Sequence, residues 1–405
     1  MADFHQNGNI ATLHNLRTRG LDDLTYELAA FAETRKITLV LPCLFSELEG
    51  PALSRIVDEL AKVPYLHRII IGLDQADETQ YRTAKNFFSR LPQQHIVLWN
   101  DSPRMKALGA RLDRIGLAPM EPGKGKNVWT CMGYLIACAD SAVMALHDCD
   151  IVNYDREMLA RLVYPVANPG FRYQMAKGYY PRVDDKKLNG RVTRLLVSPL
   201  LIALKKVVGD RDYLDYLRSF RYPLSGEFAM RMMTLPDLRI PSDWGLEIGV
   251  LSEAWRNLAP QSVCQVEIAD AYDHKHQVLS PDDASKGLSR MSTDICKAIF
   301  RKLASDGTVF TPNLFRSLKA TYYRAALDLL DSYYNDAKMN GLTLDRHQEE
   351  KSVELFADNI IRAGQLFLEN PNETPFIATW NRVHAADADF LMDFKKAAAE
   401  DEAEF

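Results

Sequence analysis

Cysteine is scarce in this sequence of 405 residues: six are present, and no two have the C-x-x-C spacing of a zinc or dithiol redox site. Cys43, Cys131, Cys138, Cys149, Cys264 and Cys296 lie mostly among apolar neighbours, which reads as reduced, partly buried thiols in a cytoplasmic protein. No window approaches the roughly 18 uninterrupted apolar residues of a membrane span. The opening MADFHQNGNIATLHN has no basic stretch leading into an apolar one, so neither export nor membrane insertion is expected. An excess of positive charge is also missing. With 49 Lys and Arg against 54 Asp and Glu the net charge is −5, which argues against nucleic acid as the main partner but leaves room for one basic cleft. No G-x-G-x-x-G follows the first strand, which weakens a dinucleotide-dependent dehydrogenase, and there is no internal repeat or low-complexity linker.

What is present is size and pattern. At about 150 residues per domain the chain suggests two to three units. A hydrophobic share of 47% and a charged share of 25% are globular values that exclude wholesale disorder and fibrous structure. Residues 36–42 (KITLVLP), 68–74 (RIIIGLD) and 95–99 (HIVLW) read as short buried strands, with helices predicted over 54–63, 78–91 and 104–115. Such alternation implies parallel βαβ units, in which ligands bind beyond the carboxyl ends of the strands. A fourth unit follows: a helix over 127–139, then an apolar strand, Ala142 to Leu146, that opens into His147-Asp148-Cys149-Asp150. Residues 164–183 read as aromatic and irregular, 221–258 as loop alternating with helix, and VCQVEIA as a further strand. Beyond about residue 285 the apolar spacing is helical, and the acidic DFKKAAAEDEAEF reads as a fraying tail.

Four features suit chemistry. Asp148 and Asp150, two apart where a buried strand ends, can share one hard divalent cation; a solvated acidic loop is the plainer reading. Gly123-Lys124-Gly125-Lys126, before a helix, lets backbone amides and ammonium groups approach an anion or a nucleotide edge; it lacks the G-x-x-x-x-G-K-[ST] spacing and is otherwise a surface turn. His274 and His276 in AYDHKHQ follow a strand; an incidental exposed pair is the plainer reading, but beside the Asp148/Asp150 pair they offer a third protein ligand to a cation. Gly190-Arg191-Val192-Thr193 opens a helix-like segment where a guanidinium, a hydroxyl and free amides converge, a cradle for a phosphate or carboxylate or an ordinary helix start.

In order along the chain, LVLPCLFSE, IIIGLD, PGKGKN, ALHDCDIV, GRVTRLLVSPLL, YPLSGEFAMR, DWGLEIGVL and the DHKH loop resemble the motifs of the retaining GT-A nucleotide-sugar glycosyltransferases, and among them the glucosyl-3-phosphoglycerate synthase family. The resemblance runs from about residue 36 to 290. It implies an α/β fold in three parts: an N-terminal helical segment (1–35), a GT-A domain (36–285) and a helical C-terminal region (286–405). It implies transfer of glucose from UDP-glucose to the 2-hydroxyl of 3-phosphoglycerate, with Mg2+ or Mn2+ as cofactor, in a homodimer. By position, Pro42, Leu44, Glu47, Asp74, Lys124, Asp148 and Glu247 would bind the nucleotide sugar, and Gly190, Arg191, Val192 and Thr193 the acceptor. Asp150, Asp148 and His274 would hold the metal, and Asp150, Leu224 and Glu247 would serve catalysis, the stretch Leu224 to Glu227 bordering the sugar. Glu47 and Glu49 compete for one role, and His276 for that of His274. The rival readings are a mannosyl donor carried by GDP, free glycerate as acceptor, and a nucleotide-sugar-binding protein without catalysis.

Overall fold

Residues 37–44, ITLVLPCL, have no polar face, so as a strand they must be covered on both sides, and they are: Leu39 and Leu41 point into one packed layer, Val40 into the other. The computed structural model describes residue 6 and residues 8–119, 121–184, 186–273, 287–371 and 376–405. Among them the strands are β1 (Ala11–Leu13), β2 (Ile37–Leu44), β3 (Leu66–Asp74), β4 (His95–Trp99), β5 (Val143–Leu146), β6 (Met175–Tyr179), β7 (Val183–Asp184), β8 (Lys187–Leu188), β9 (Phe228–Arg231) and β10 (Val263–Glu267). Helices α1 (Leu21–Thr34), α2 (Pro51–Leu60), α3 (Glu78–Phe88), α4 (Pro103–Arg114), α5 (Lys124–Cys138), α6 (Arg156–Ala167), α7 (Ser198–Val208), α8 (Asp212–Ser219) and α9 (Leu246–Asn257) lie between them. The C-terminal region adds α10 (Gly287–Ser305), α11 (Pro312–Met339), α12 (Arg346–Glu369), α13 (Trp380–Ala386) and α14 (Phe390–Glu404).

Eight strands form one sheet in the order β1-β10-β6-β9-β5-β2-β3-β4, parallel throughout except for β9, which runs antiparallel between β5 and β6; β7 and β8 pair as a separate hairpin. The expectation of parallel βαβ units therefore holds for β2 to β5 and needs one correction. Because β9 is reversed, its start rather than its end lies beside the end of β5, with Phe228 opposite Leu146. Residues 224–227 thereby reach the same sheet edge as residues 147–150. Two more corrections concern segments read as irregular or helical. Residues 175–179 form the fully buried β6, and residues 11–13, within the expected N-terminal helical segment, form the edge strand β1 on β10.

The acidic tail is not frayed. Helix α14 buries Phe390 and Phe394, and Arg104 on α4 holds Glu400, Asp401 and Glu404. Phe405 packs edge-on against Trp99 and Tyr81, which stack 4.8 Å apart. The C-terminal helices are helical as expected, yet they share one core with the sheet: Val40 and Ile70 belong to the same packed cluster as Phe356 and Trp380. Trp380 stacks on Trp129 of α5 at 4.0 Å, and Gly133 leaves the room its ring needs, since a Cβ there would lie 2.0 Å from it. Among the described residues no helix is long and apolar enough to cross a membrane.

Candidate active site

The site stands at the carboxyl edge of the sheet, where several strands release their chains together. Beyond β5, Asp148 and Asp150 are half-buried. Lost hydration pushes the Asp150 carboxyl up to about 7, the charge on Asp148 adds to this, Lys124 opposes it, and Glu47 and Glu227 reinforce it. Two oxygen-donor side chains that repel each other in a half-dry setting fit a hard divalent cation, which would relieve that repulsion. Of the two glutamates competing after β2, Glu47 is the half-buried one within electrostatic reach of Asp150, while Glu49 is exposed. Pro42 is half-buried and Leu44 exposed on the same rim.

Lys124 opens α5 behind Gly123, whose φ of 148° would strain any residue with a side chain. Gly125 lets this first turn lie against Pro241, since a Cβ at 125 would stand 2.0 Å from the Pro241 carbonyl oxygen. Nζ of Lys124 is so carried to 2.6 Å from Asp148 and 3.2 Å from Glu247 in the first turn of α9. Burial works against its charge, but Asp148 and Glu247 outweigh it and hold the ammonium well above the usual lysine range. Gly226 packs onto Asp148: a Cβ there would be 2.3 Å from Oδ2. Beside it Glu227 is fully buried and accepts hydrogen bonds of 2.6 Å from the hydroxyls of Tyr180 and Tyr272. Beneath this loop the buried Lys177 of β6 donates to the Ser225 carbonyl, and burial pushes it down to about 8.

At the end of β3 Asp74 accepts from Asn100 at 2.6 Å. The expected acceptor cradle lies further along the rim, where Gly190 has φ +76° and Val192–Val197 form a π-helical turn, a bulge type frequent at functional sites. Val192 is buried, and the buried Thr193 hydroxyl has no hydrogen-bond partner among the described residues. Arg191 donates from Nε to Glu349 of α12 at 2.7 Å. His274 and His276 lie outside the described residues. Among those described, no group of three or more His, Cys, Asp or Glu could hold a metal ion.

No family model matches the chain. A glucosyl-3-phosphoglycerate synthase of Persephonella marina is 44% identical over 401 residues, covering 99% of this chain and 99% of its own length. The chain belongs to the glucosyl-3-phosphoglycerate synthase family. A synthase of the same name from Methanococcoides burtonii is 35% identical over 407 residues, covering 100% of this chain and 99% of its own. The solved Mycobacterium tuberculosis glucosyl-3-phosphoglycerate synthase, in complex with Mn2+, UDP-glucose and phosphoglyceric acid, shares the fold with a TM-score of 0.54 at 24% identity, covering 73% of this chain and 88% of that one. Mannosyl-3-phosphoglycerate synthase from Rubrobacter xylanophilus gives 0.54 at 18% identity, over 74% and 83%. As a member of the glucosyl-3-phosphoglycerate synthase family the chain is an enzyme, a hexosyltransferase.

In this member of the glucosyl-3-phosphoglycerate synthase family, Asp74 illustrates how a buried carboxyl at a strand end can cost stability. Burial, against the help of Asn100, pushes its carboxyl up to about 6, above the value of about 3.9 expected when unfolded. The folded form therefore holds the proton more tightly between those two values, and stability falls as pH rises from about 4 to 6. Asp74→Asn is expected to melt a few degrees higher than the parent at pH 7 to 8, the gap closing below pH 4. A thermal melt at several pH values checks this, and a gap independent of pH would exclude the titration as its source.

Sequence reasoning passed over Lys177, Tyr180, Asn100 and Glu349. Lys177 carried a usable signal, a lysine inside MAKGY, once that stretch is seen as a strand covered on both faces. Glu349 carried none, being 158 residues from Arg191.

Proposed function

We propose that this enzyme transfers the glucosyl group of UDP-glucose to the 2-hydroxyl of 3-phospho-D-glycerate with retention at the anomeric carbon. What carries the reading is the convergence of Asp148, Asp150, Lys124 and Glu247 at one sheet edge, in a chain 44% identical along its whole length to a glucosyl-3-phosphoglycerate synthase. Asp150 and Asp148, with His274, would hold magnesium or manganese, which when bound stabilises the charge that gathers on the departing diphosphate. The uridine lies along Pro42, Leu44, Glu47 and Asp74. Lys124 balances the charges of Asp148 and Glu247, so that the donor's diphosphate does not meet an unrelieved acidic cluster. Glu247 accepts from sugar hydroxyls, and Leu224 with the Gly226 turn borders the hexose.

The acceptor's anionic groups bind the amides and side chains of Gly190 to Thr193, where the unsatisfied Thr193 hydroxyl and the Arg191 guanidinium supply donors. As the glycosidic bond to the β-phosphate oxygen breaks, the acceptor 2-hydroxyl attacks from the same face. Its proton passes to the departing phosphate oxygen, which leaves with the bonding pair. No carboxylate nucleophile is required. A cytoplasmic homodimer belongs to the same proposal, and light scattering of the purified chain tests the dimer.

The experiment offers UDP-glucose, ADP-glucose, GDP-glucose and GDP-mannose in turn with magnesium and either 3-phosphoglycerate or free glycerate, and follows nucleoside diphosphate release. Turnover is expected with UDP-glucose, dependent on both acceptor and metal. Turnover only with GDP-mannose would overturn the donor assignment, and turnover only with free glycerate would overturn the acceptor assignment.

A further inference from the structure

We propose that Glu349, from the helical C-terminal region, is a positioning residue that aims Arg191 at the anionic acceptor; this rests on the reading of residues 190–193 as the acceptor cradle. The Glu349 carboxylate is almost wholly buried and each of its oxygens takes a different arginine, Oε1 from Arg191 Nε at 2.7 Å and Oε2 from Arg194 Nη1 at 2.8 Å. The two arginines are not equivalent. Arg194 is buried and spends its remaining donors on the turn itself, Nε on the Asn189 carbonyl at 2.7 Å and Nη2 on the Leu188 carbonyl at 3.2 Å, with the Tyr333 ring 5.1 Å away. Arg191 is 37% exposed and is held through Nε alone. Neither of its Nη nitrogens bonds to another described residue, so the pair that can grip an oxyanion in parallel is free and its plane is already set.

The cradle is braced by the same region at other points. The Thr343 backbone N–H and hydroxyl both donate to the Lys186 carbonyl, and the Tyr322 hydroxyl donates to the Leu195 carbonyl at 2.5 Å. The C-terminal helices are in this sense part of the acceptor site, and Glu349 is the point at which they touch a substrate-facing side chain. Removing its charge has two opposite effects on an incoming anion. Arg191 gains net positive field, which is screened at a half-exposed group, and loses the orientation on which two parallel hydrogen bonds depend. The second dominates.

Glu349→Gln is expected to raise the KM for 3-phosphoglycerate about tenfold or more, while kcat at saturating acceptor and the KM for the nucleotide sugar stay within about twofold. Glu349→Asp keeps the buried charge that Arg194 needs but shortens the reach to Arg191, and should show the same split in milder form; it decides the matter if the Gln variant does not fold. Arg191→Lys is run beside them. If Arg191→Lys raises the acceptor KM and neither Glu349 variant does, the positioning role is overturned and the cradle stands. If Arg191→Lys leaves the acceptor KM unchanged, the cradle reading itself fails. Equal loss for both substrates, tracking a lowered melting temperature, would reduce Glu349 to a structural ion pair and overturn the proposal.

Discussion

Asp150→Asn is expected to lower turnover by about two orders of magnitude or more while leaving the protein as stable as before, or slightly more so. The substitution keeps shape and hydrogen-bonding capacity and removes only charge. In the resting site that charge is disfavoured, since burial and the neighbouring Asp148 push the carboxyl up to about 7. Neutralising it relieves repulsion among Asp148, Glu47 and Glu227. On the proposed mechanism the same charge is needed during transfer, because Asp150 would help to hold the cation that meets charge on the leaving diphosphate, and electrostatic stabilisation of that kind accounts for rate factors of this size. The signature is thus a fall in nucleoside diphosphate release with an unchanged or raised melting temperature. A variant that loses activity in proportion to its folded fraction would show instead that Asp150 is structural.

Gly226→Ala is expected to cost between about tenfold and a hundredfold in turnover from a single methyl group. Its Cβ would stand 2.3 Å from Asp148 Oδ2 and 2.8 Å from Cγ, so something must move. The loop is poorly placed to yield, because Glu227 is pinned by the hydroxyls of Tyr180 and Tyr272 and the Ser225 carbonyl by Lys177. Asp148 is the softer partner. It would swing out and give up its 2.6 Å contact with Lys124. Since Gly226 lies outside the left-handed region, the backbone adds no strain and the melting temperature should move little. The check is kcat beside a thermal melt. Unaltered turnover would mean that the carboxylate can shift without consequence, and a large fall in melting temperature would mean that the loop gave way.

The parts of this architecture legible in the sequence are those in which neighbouring residues decide the outcome. Strands β2, β3 and β4 and the stretch ending at Asp148 announce themselves by continuous apolar runs, because a strand covered on both faces has no room for alternation. What escaped depends on partners far along the chain. Strand β9 is four residues long, FAMR, and owes its existence to open edges on β5 and β6 that flank it. Strand β6 hides a lysine whose ammonium is satisfied by a carbonyl 48 residues on. The same division runs through the site. Asp148, Asp150 and Lys124 could be singled out by type and local setting, Glu247 only through the family resemblance, and the structure brings them together. The Arg191–Glu349 contact joins the cradle to a helix that periodicity recognises only as a helix.

The placing of the last helix bears on how the molecule comes to exist. Trp99, Tyr81 and Arg104 find their ring and carboxylate partners far along the chain, among residues 400–405. During synthesis the β3–β4 edge of the sheet therefore waits, with one flank unfinished, until the residues of α14 have been made. Order of manufacture and order of completion are opposed at this edge, whose packing closes only with residues about 300 positions further along.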